Sequence, residues 1–204
     1  MKNYNIDRIL EPAFKLFLTY NYEAVSIIRL EEATGLTRGA IYYKHKSKEI
    51  LFQAVIDRYV LNYLDDYNPS LANITLKKFI SQFLNSLERR MNELRSLGLT
   101  NIHRGYFNLL YQALQYYPGF DKKIKGVFDD NLKQWTEVIQ HAIESGEVKP
   151  DCKAQTAAQN FRFLYTGMAF EHSLSEGLNF AKLKKAYKEY YKEIAIEKKN
   201  ELLK

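Results

Sequence analysis

The amino-acid sequence predicts an all-α protein of about nine helices. Apolar residues recur at helical spacing almost throughout the chain, and no segment alternates convincingly with the period of two that a half-buried strand shows. Glycine (9) and proline (4) are scarce among the 204 residues, which argues against many tight turns. Several of them separate one apolar stripe from the next, as at Pro118-Gly119 and Gly146. The pattern therefore favours long helices joined by short connections.

Four of these helices are predicted within residues 1–66. The second is capped by Ser26 and ends at Gly35, where a left-handed residue is needed. Thr37 caps the third helix, and Ser47 caps a long fourth helix. The first and fourth helices have continuous apolar faces, formed by Ile6, Ile9, Leu10, Ala13, Phe14 and Phe17, and by Leu51, Val55, Ile56, Tyr59, Val60 and Tyr63.

The clearest boundary in the chain is Asn68-Pro69-Ser70. Five further helices are predicted beyond it, at about residues 75–97, 101–117, 121–145, 153–175 and 180–202. We therefore expect two domains: residues 1–66, which include the start of the long linking helix, and a larger helical domain over residues 67–204.

Composition restricts the class of protein further. Hydrophobic residues make up 46% and charged residues 26% of the chain, as in ordinary globular proteins. No run approaches the roughly 20 apolar residues of a membrane span, and the N-terminus lacks the apolar stretch of a signal peptide. A single cysteine excludes an internal disulfide and a zinc site built from several cysteines. These features favour a cytoplasmic protein with no membrane partner.

The second and third helices have the spacing of a DNA-reading helix-turn-helix, in which the second helix of the pair enters the major groove. The net charge of the chain is +6, but residues 1–66 contain nine basic and nine acidic residues. Within them, residues 33–48 carry Arg38, Lys44, Lys46 and Lys48 and no acid. Such a local excess of positive charge is typical of a phosphate-binding surface. The sequence therefore predicts that the protein binds double-stranded DNA.

The chemistry of the predicted recognition helix agrees with this interpretation. Arg38 can read guanine through a bidentate pair of hydrogen bonds, and the Ala40 methyl group suits a thymine methyl. The small Gly39 allows the backbone to approach the bases closely. Tyrosines and lysines at and beyond the helix end are placed to hold phosphates. The predicted DNA-binding residues are Ser26, Thr37, Arg38, Gly39, Ala40, Tyr42, Tyr43, Lys44 and Lys48.

Residues 9–51 resemble the N-terminal domain of the TetR family of bacterial transcriptional regulators. A second, weaker resemblance lies in Glu144-Ser-Gly146-Glu-Val-Lys-Pro150-Asp151 and the alanine-rich helix after it, which ends at Tyr165-Thr-Gly167. The first is carried by Leu10-Glu-Pro-Ala13-Phe-Lys-Leu-Phe17, Gly35-Leu-Thr37, Gly39-Ala-Ile-Tyr42-Tyr43 and Ser47-Lys48-Glu49.

Three positions depart from the family pattern. Asn21 replaces the usual glycine, which is a mild change because asparagine tolerates a positive φ. Glu31 stands where a small alanine normally lets the two helices approach, and it can reach Arg38 or Lys44 across the turn. His45 stands where a phenylalanine usually packs, and we expect it to be a partly buried core histidine rather than a phosphate contact.

The resemblance implies a homodimer that binds a near-palindromic operator and is released from it by a small-molecule ligand, most often as a repressor. Ligand binding in such proteins shifts the long fourth helix and changes the spacing of the two recognition helices. The resemblance also implies that the last two helices form the dimer interface, with an intramolecular core as the alternative. The predicted interface residues are Ala157, Phe161, Leu164, Tyr165, Met168, Leu183, Tyr187, Tyr190, Tyr191 and Ile194.

Aromatic residues in the larger domain are candidates for an apolar ligand cavity between helices. Each of them taken alone is more simply explained as part of the core, because aromatic stripes at helical spacing usually are. Tyrosine hydroxyls together with His103 suggest a ligand with polar groups. The candidate lining residues are Phe79, Phe83, His103, Tyr106, Phe107, Tyr111, Phe128, Trp135 and Phe163.

Signs of catalysis are weak. The four histidines are scattered, no Glu-x-x-His pair repeats as a di-iron site requires, and no glycine-rich phosphate loop is present. We therefore expect no enzyme activity, no cofactor and no metal. Two alternatives stay open: an all-helical small-molecule-binding protein or enzyme with a vestigial helix-turn-helix, which cofactor retention on purification would favour, and a regulator controlled by a protein partner.

Overall fold

A computed structural model describes residues 7–62, 74–96 and 98–196 of the chain. The described residues form nine α-helices and contain no strand, which confirms the predicted all-α class. None of these helices is both long and apolar enough to span a membrane. The helices are α1 Asp7–Thr19, α2 Ile27–Thr34, α3 Arg38–His45, α4 Lys48–Ile56, α5 Leu76–Ser96, α6 Ile102–Tyr116, α7 Phe120–Glu144, α8 Ala154–Ser173 and α9 Phe180–Ile194.

The chain divides into two compact units, and the division differs from the two expected domains. One unit comprises Met1–Tyr67 together with Leu97–Val127, and the other comprises Asn68–Ser96 together with Phe128–Lys204. Helix α6 and the start of α7, which we had assigned to the larger domain, therefore belong to the same unit as the helix-turn-helix. The predicted boundary at residues 68–70 lies outside the described residues.

Aromatic packing explains why α6 belongs to the first unit. Tyr116 stacks on the buried Tyr22 with ring centroids 4.1 Å apart, and the Tyr22 amide donates a hydrogen bond to the side chain of Gln112. Tyr106 meets the buried ring of Phe14 edge-on at 6.0 Å, and its hydroxyl donates to the Tyr59 carbonyl at 3.1 Å. These contacts bury one face of α6 against α1 and α4.

The linking helix α4 does not end in a loop. It continues directly into a π-helical turn, Asp57–Leu61. The Asp57 carboxylate accepts a hydrogen bond of 2.8 Å from the Tyr117 hydroxyl and lies 3.4 Å from the Lys123 ammonium group. Burial raises the pKa of Tyr117, so its hydroxyl stays protonated and able to donate. This network ties the widened turn to the segment that joins α6 and α7.

Trp135 lies at the centre of the second unit and is completely buried. Phe79 and Phe83 of α5 meet its ring edge-on at 4.7 and 5.3 Å, and Phe161 of α8 stacks on it at 5.2 Å. The buried Tyr187 of α9 donates its hydroxyl to the Phe161 carbonyl at 2.6 Å. Four helices thus share one aromatic core.

The carboxylate of Glu147, in the turn between α7 and α8, joins three parts of the second unit. It accepts the amides of Leu76 and Lys77 at 2.8 and 2.9 Å, at the start of α5, and the Tyr191 hydroxyl of α9 at 2.9 Å. A carboxylate at a helix N-terminus satisfies amides that the helix itself leaves unpaired. The sequence therefore places a charged side chain where it closes the first turn of α5.

The last helix ends earlier than the periodicity predicts. We expected it to run to about residue 202, but α9 ends at Ile194, and Ala195 forms a single antiparallel bridge with Val148. The Ile194 carbonyl accepts a hydrogen bond from the Lys149 amide at 2.9 Å. A carbonyl group at the end of α9 is therefore paired beside this bridge. Residues 197–202 lie outside the described residues.

Candidate DNA-binding site

Local capping confirms the predicted helix-turn-helix. The Ser26 Oγ atom accepts the Arg29 amide at 3.3 Å, and the Thr37 Oγ1 atom accepts the Ala40 amide at 3.4 Å. Gly35 has φ 66° between the two helices, as a left-handed C-cap requires. Both helices thus begin on a suitable capping residue, and α2 also ends on one.

Helix α3 is held by few side chains and presents the others outward. The Ile41 side chain is completely buried. Arg38 and Lys44 are exposed, and Tyr43 is 78% exposed. Tyr42 is half-buried. Because Ile41 and His45 are its two buried side chains, this two-turn helix leaves most of its surface for another molecule. This is the geometry that reading a major groove requires.

Two of the basic side chains in and next to α3 lie over tyrosine rings. The Arg38 guanidinium carbon lies 6.0 Å from the centre of the Tyr42 ring, and the Lys48 ammonium nitrogen lies 4.2 Å from the centre of the buried Tyr22 ring. Burial raises the pKa of Tyr42, so its hydroxyl remains a neutral donor. These cation–π contacts hold the charges near the surface of α3.

Two of the three departures from the family pattern have simple structural consequences. Asn21 has φ −62°, so this position does not use the left-handed conformation that we had allowed for it, and a glycine is unnecessary here. The Glu31 carboxylate accepts the backbone amide of Arg38 at 2.6 Å, so this side chain spans the turn between α2 and α3.

His45, the last residue of the recognition helix, is buried, as expected, and contributes to the core. No hydrogen-bond partner for its Nε2 atom lies within the described parts of the chain. Burial lowers the pKa of His45, and the charge of Lys44 lowers it further. The imidazole ring of His45 therefore occupies a buried site that would suit an apolar ring.

We expect a His45→Phe variant to be more stable than the wild type by about 1 kcal/mol, because it removes a buried polar atom without a partner. Since the pKa of His45 is lower in the folded than in the unfolded chain, the unfolded chain binds more protons below about pH 6.5, and the wild type loses stability as the pH falls through this range. Thermal unfolding followed by circular dichroism between pH 5 and 8 measures both effects.

The variant should lose the part of the acid-dependent destabilisation that His45 causes. An NMR titration of the His45 C2 proton in the wild type provides the independent control, since it reports the folded-state pKa directly. An unchanged slope of stability against pH in His45→Phe would contradict this account.

Known proteins share both the helix-turn-helix and the architecture of the whole chain. Residues 9–55 match the family model described as bacterial regulatory proteins, tetR family. These residues therefore form a TetR-family domain. The matched residues comprise most of α1, all of α2 and α3 and most of α4, so the family assignment rests on the segment that builds the exposed recognition helix.

Individual relatives agree with this assignment. The HTH-type transcriptional repressor ComR of Escherichia coli is 44% identical over 59 residues, which are 29% of this chain and 28% of ComR. The HTH-type transcriptional regulator SrpR of Pseudomonas putida is 23% identical over 164 residues, which are 80% of this chain and 73% of SrpR. The chain thus spans little more than a quarter of ComR but most of SrpR.

A solved structure extends the likeness to the entire fold. The TetR-family transcriptional regulator from Cytophaga hutchinsonii superimposes with a TM-score of 0.70 at 21% identity, covering 94% of this chain and 95% of that one. At this level of identity the comparison establishes the fold.

The structure distributes the predicted ligand-binding residues over both units. Phe79, Phe83 and Trp135 lie together in the core of the second unit, which also contains Phe128 and Phe163. His103, Tyr106, Phe107 and Tyr111 lie in the first unit, and 66% of Tyr111 is exposed. The predicted set is therefore not one cluster within a single unit.

A cavity of about 600 Å³ does lie within the first unit, next to the end of α1 and the start of α6. It has polar groups from Asn21, Arg104 and Asn108, and none of the nine predicted residues lines it. Within the described part of the chain, no group of three or more histidine, cysteine, aspartate or glutamate side chains could hold a metal ion.

The predicted dimer-interface residues divide into two groups. Ala157, Phe161, Leu183 and Tyr187 are buried within the second unit of a single chain, so they have no surface left for a partner and require a correction. They pack α8 against α9, which was the alternative interpretation. The remaining six are half-buried: Leu164, Tyr165, Met168, Tyr190, Tyr191 and Ile194.

Sequence reasoning did not assign the exposed apolar residues of α8 to a protein interface: Phe163 was predicted to line a ligand cavity, and the residues at 170 and 174 were not singled out. Phe163 and Phe170 are 64% and 47% exposed, and Leu174, which caps the helix, is 69% exposed. Positions 163, 170 and 174 follow the heptad-like spacing of one helix face. The sequence shows this spacing of apolar residues, but the apolar periodicity of the neighbouring, buried face of α8 is just as strong.

Proposed function

We propose that this protein is a cytoplasmic transcriptional repressor that binds a near-palindromic operator as a homodimer and is released by a small molecule. The observation that carries the DNA-binding role is the recognition helix α3, which is anchored by the buried Ile41 and presents Arg38, Tyr43 and Lys44 outward. The family assignment and the repressors among its relatives support the regulatory role.

Base reading is assigned to the first turn of α3, and phosphate binding to its surroundings. Arg38 is exposed at the start of the helix, where it can pair with guanine, and Ala40 follows on the same turn. Tyr42, Tyr43, Lys44 and Lys48 contact the DNA backbone in this proposal. Lys48 would exchange its position over the Tyr22 ring for a phosphate.

The second protomer is proposed to pack on the exposed apolar face of α8. Exposed aromatic and aliphatic side chains in a row are costly in water and are typical of protein–protein interfaces. Phe163, Phe170 and Leu174 provide such a row without disturbing the aromatic core beneath. A two-fold axis through this face gives two recognition helices, which matches the two half-sites of a near-palindrome.

Release by a ligand requires that the ligand bind the DNA-incompetent state more tightly than the DNA-bound state. Each tenfold loss of operator affinity takes about 1.4 kcal/mol of this difference. Helix α6 is a suitable relay, because it packs in the same compact unit as α1 to α4. The π-helical turn at Asp57–Leu61, tied to Tyr117, gives α4 a second arrangement to which it can relax.

The experiment that tests this proposal measures DNA affinity as a function of salt. We use a 30-base-pair duplex enriched from a random library by the wild-type protein. If a dimer neutralises about six phosphates, the logarithm of the affinity should fall with the logarithm of the salt concentration with a slope of about −5. Sedimentation of the complex should give two protomers per duplex.

A scrambled duplex of the same composition serves as the control and should bind at least about 1,000-fold more weakly at physiological salt. A slope near zero, or equal affinity for the two duplexes, would count against a sequence-specific regulator. One protomer per duplex would count against the dimer.

A further inference from the structure

Glu31 connects the two helices of the helix-turn-helix through a single side chain. It lies in the last turn of α2, and its Oε1 atom accepts the amide of Arg38, the first residue of α3, at 2.6 Å. Its own carbonyl accepts the Gly35 amide at 2.8 Å. The residue therefore joins the end of α2, the left-handed turn and the start of α3.

The first amides of a helix have no partner within the helix and attract anions. In α3, Thr37 satisfies the Ala40 amide and Glu31 satisfies the Arg38 amide. A phosphate that approached the start of the recognition helix would therefore meet a carboxylate where it would otherwise meet the amide of Arg38.

We infer that Glu31 is a positioning residue that fixes the start of the recognition helix, and that its charge weakens binding to every duplex. The inference rests on the proposed DNA-binding function. The hydrogen bond holds the backbone that carries Arg38 and Ala40, on which base reading depends. The charge repels phosphates regardless of sequence. Glu31 thus exchanges general affinity for selectivity.

The two roles can be separated by two variants of the full-length protein. Glu31→Gln keeps an oxygen that accepts the Arg38 amide but removes the charge, and Glu31→Ala removes both. One charge about 6 Å from a phosphate in water is worth a factor of about three, or about tenfold for two protomers. We therefore expect Glu31→Gln to bind the selected and the scrambled duplex about tenfold more tightly at low salt, with an unchanged ratio between them.

Glu31→Ala should also gain affinity for the scrambled duplex but lose at least about fivefold in the ratio of selected to scrambled binding, because the helix start is no longer fixed. Glu32→Gln is the matched control, since it removes an exposed charge one residue away and leaves this hydrogen bond intact. Equal gains in Glu31→Gln and Glu32→Gln would overturn the role of the charge. An unchanged ratio in Glu31→Ala would overturn the positioning role.

Amide hydrogen exchange measured by NMR without DNA keeps the positioning role testable on its own. The Arg38 amide should be protected in the wild type and in Glu31→Gln, and should exchange at least about tenfold faster in Glu31→Ala. Equal exchange in all three proteins would overturn the inference. A wild type that prefers no duplex but shows the expected exchange would instead refute the proposed function and support the hydrogen bond.

Discussion

Replacing Arg38 with alanine is expected to weaken binding to the selected duplex by about 100-fold or more. A bidentate arginine–guanine pair contributes about 1–3 kcal/mol of discrimination, and a dimer makes the contact twice. The Arg38 side chain is exposed and the helix is anchored elsewhere, so the fold should be unaffected. Fluorescence anisotropy with the selected and scrambled duplexes measures the loss, and circular dichroism checks the fold.

Two further variants make the experiment specific for base reading. Arg38→Lys keeps the charge but not the planar pair of donors, so it should recover binding to the scrambled duplex and little of the preference for the selected one. Arg95→Ala, on the exposed surface of α5 in the second unit, changes the net charge equally and should leave the preference intact. Equal losses on both duplexes for Arg38→Ala would show that Arg38 binds phosphate and does not read bases.

The helix-turn-helix could be predicted in detail because its determinants are local. Ser26 and Thr37 cap the helix that each precedes, and Gly35 supplies the left-handed turn, all within three or four residues of the groups they satisfy. Ile41 could be identified as the anchor because it is the main aliphatic side chain on a two-turn helix. Short-range hydrogen bonds leave a readable sequence pattern.

What the sequence did not reveal depends on contacts between distant segments. The pairing of Tyr22 with Tyr116 draws α6 into the first unit across 94 residues of chain, and no periodicity within α6 indicates which unit its apolar face will join. The sequence likewise does not indicate which apolar face of α8 is buried. Phe161 and Phe163 are both aromatic and only two residues apart, yet the first is buried and the second is exposed. Periodicity identifies an apolar face but not its partner.

The Glu31 departure shows where a family pattern is least informative. An alanine at this position lets two helices approach, and a glutamate suggested an ion pair with Arg38 or Lys44. The structure shows that the carboxylate accepts the backbone amide of Arg38, which is an interaction that does not depend on the identity of the Arg38 side chain. Hydrogen bonds from a side chain to the backbone are common at helix ends, but residue types alone do not indicate which amide is satisfied.

Replacing Glu147 with alanine is expected to destabilise the second unit by about 3 kcal/mol. The change leaves the amides of Leu76 and Lys77 and the hydroxyl of Tyr191 without their shared acceptor. Each lost hydrogen bond to a charged group is worth about 1.5–3 kcal/mol, and partial exposure of the site reduces the sum. The only tryptophan of the chain, Trp135, lies in the core of this unit, so its fluorescence during urea unfolding reports the loss directly.

The pH dependence of the same variant tests the mechanism. Burial, together with the hydrogen bond to Glu147, raises the pKa of Tyr191 to about 12. The folded protein therefore holds this proton more tightly than the unfolded chain, and wild-type stability falls as the pH rises above about 10. The stability of Glu147→Ala should fall less steeply with pH, since burial alone then raises the pKa of Tyr191.

Glu144→Ala is the matched control, because it loses only an exposed hydrogen bond from Gln140 on the same helix. Its stability should stay within about 0.5 kcal/mol of the wild type. If Glu144→Ala and Glu147→Ala were equally stable, the carboxylate of Glu147 would not be what closes the start of α5.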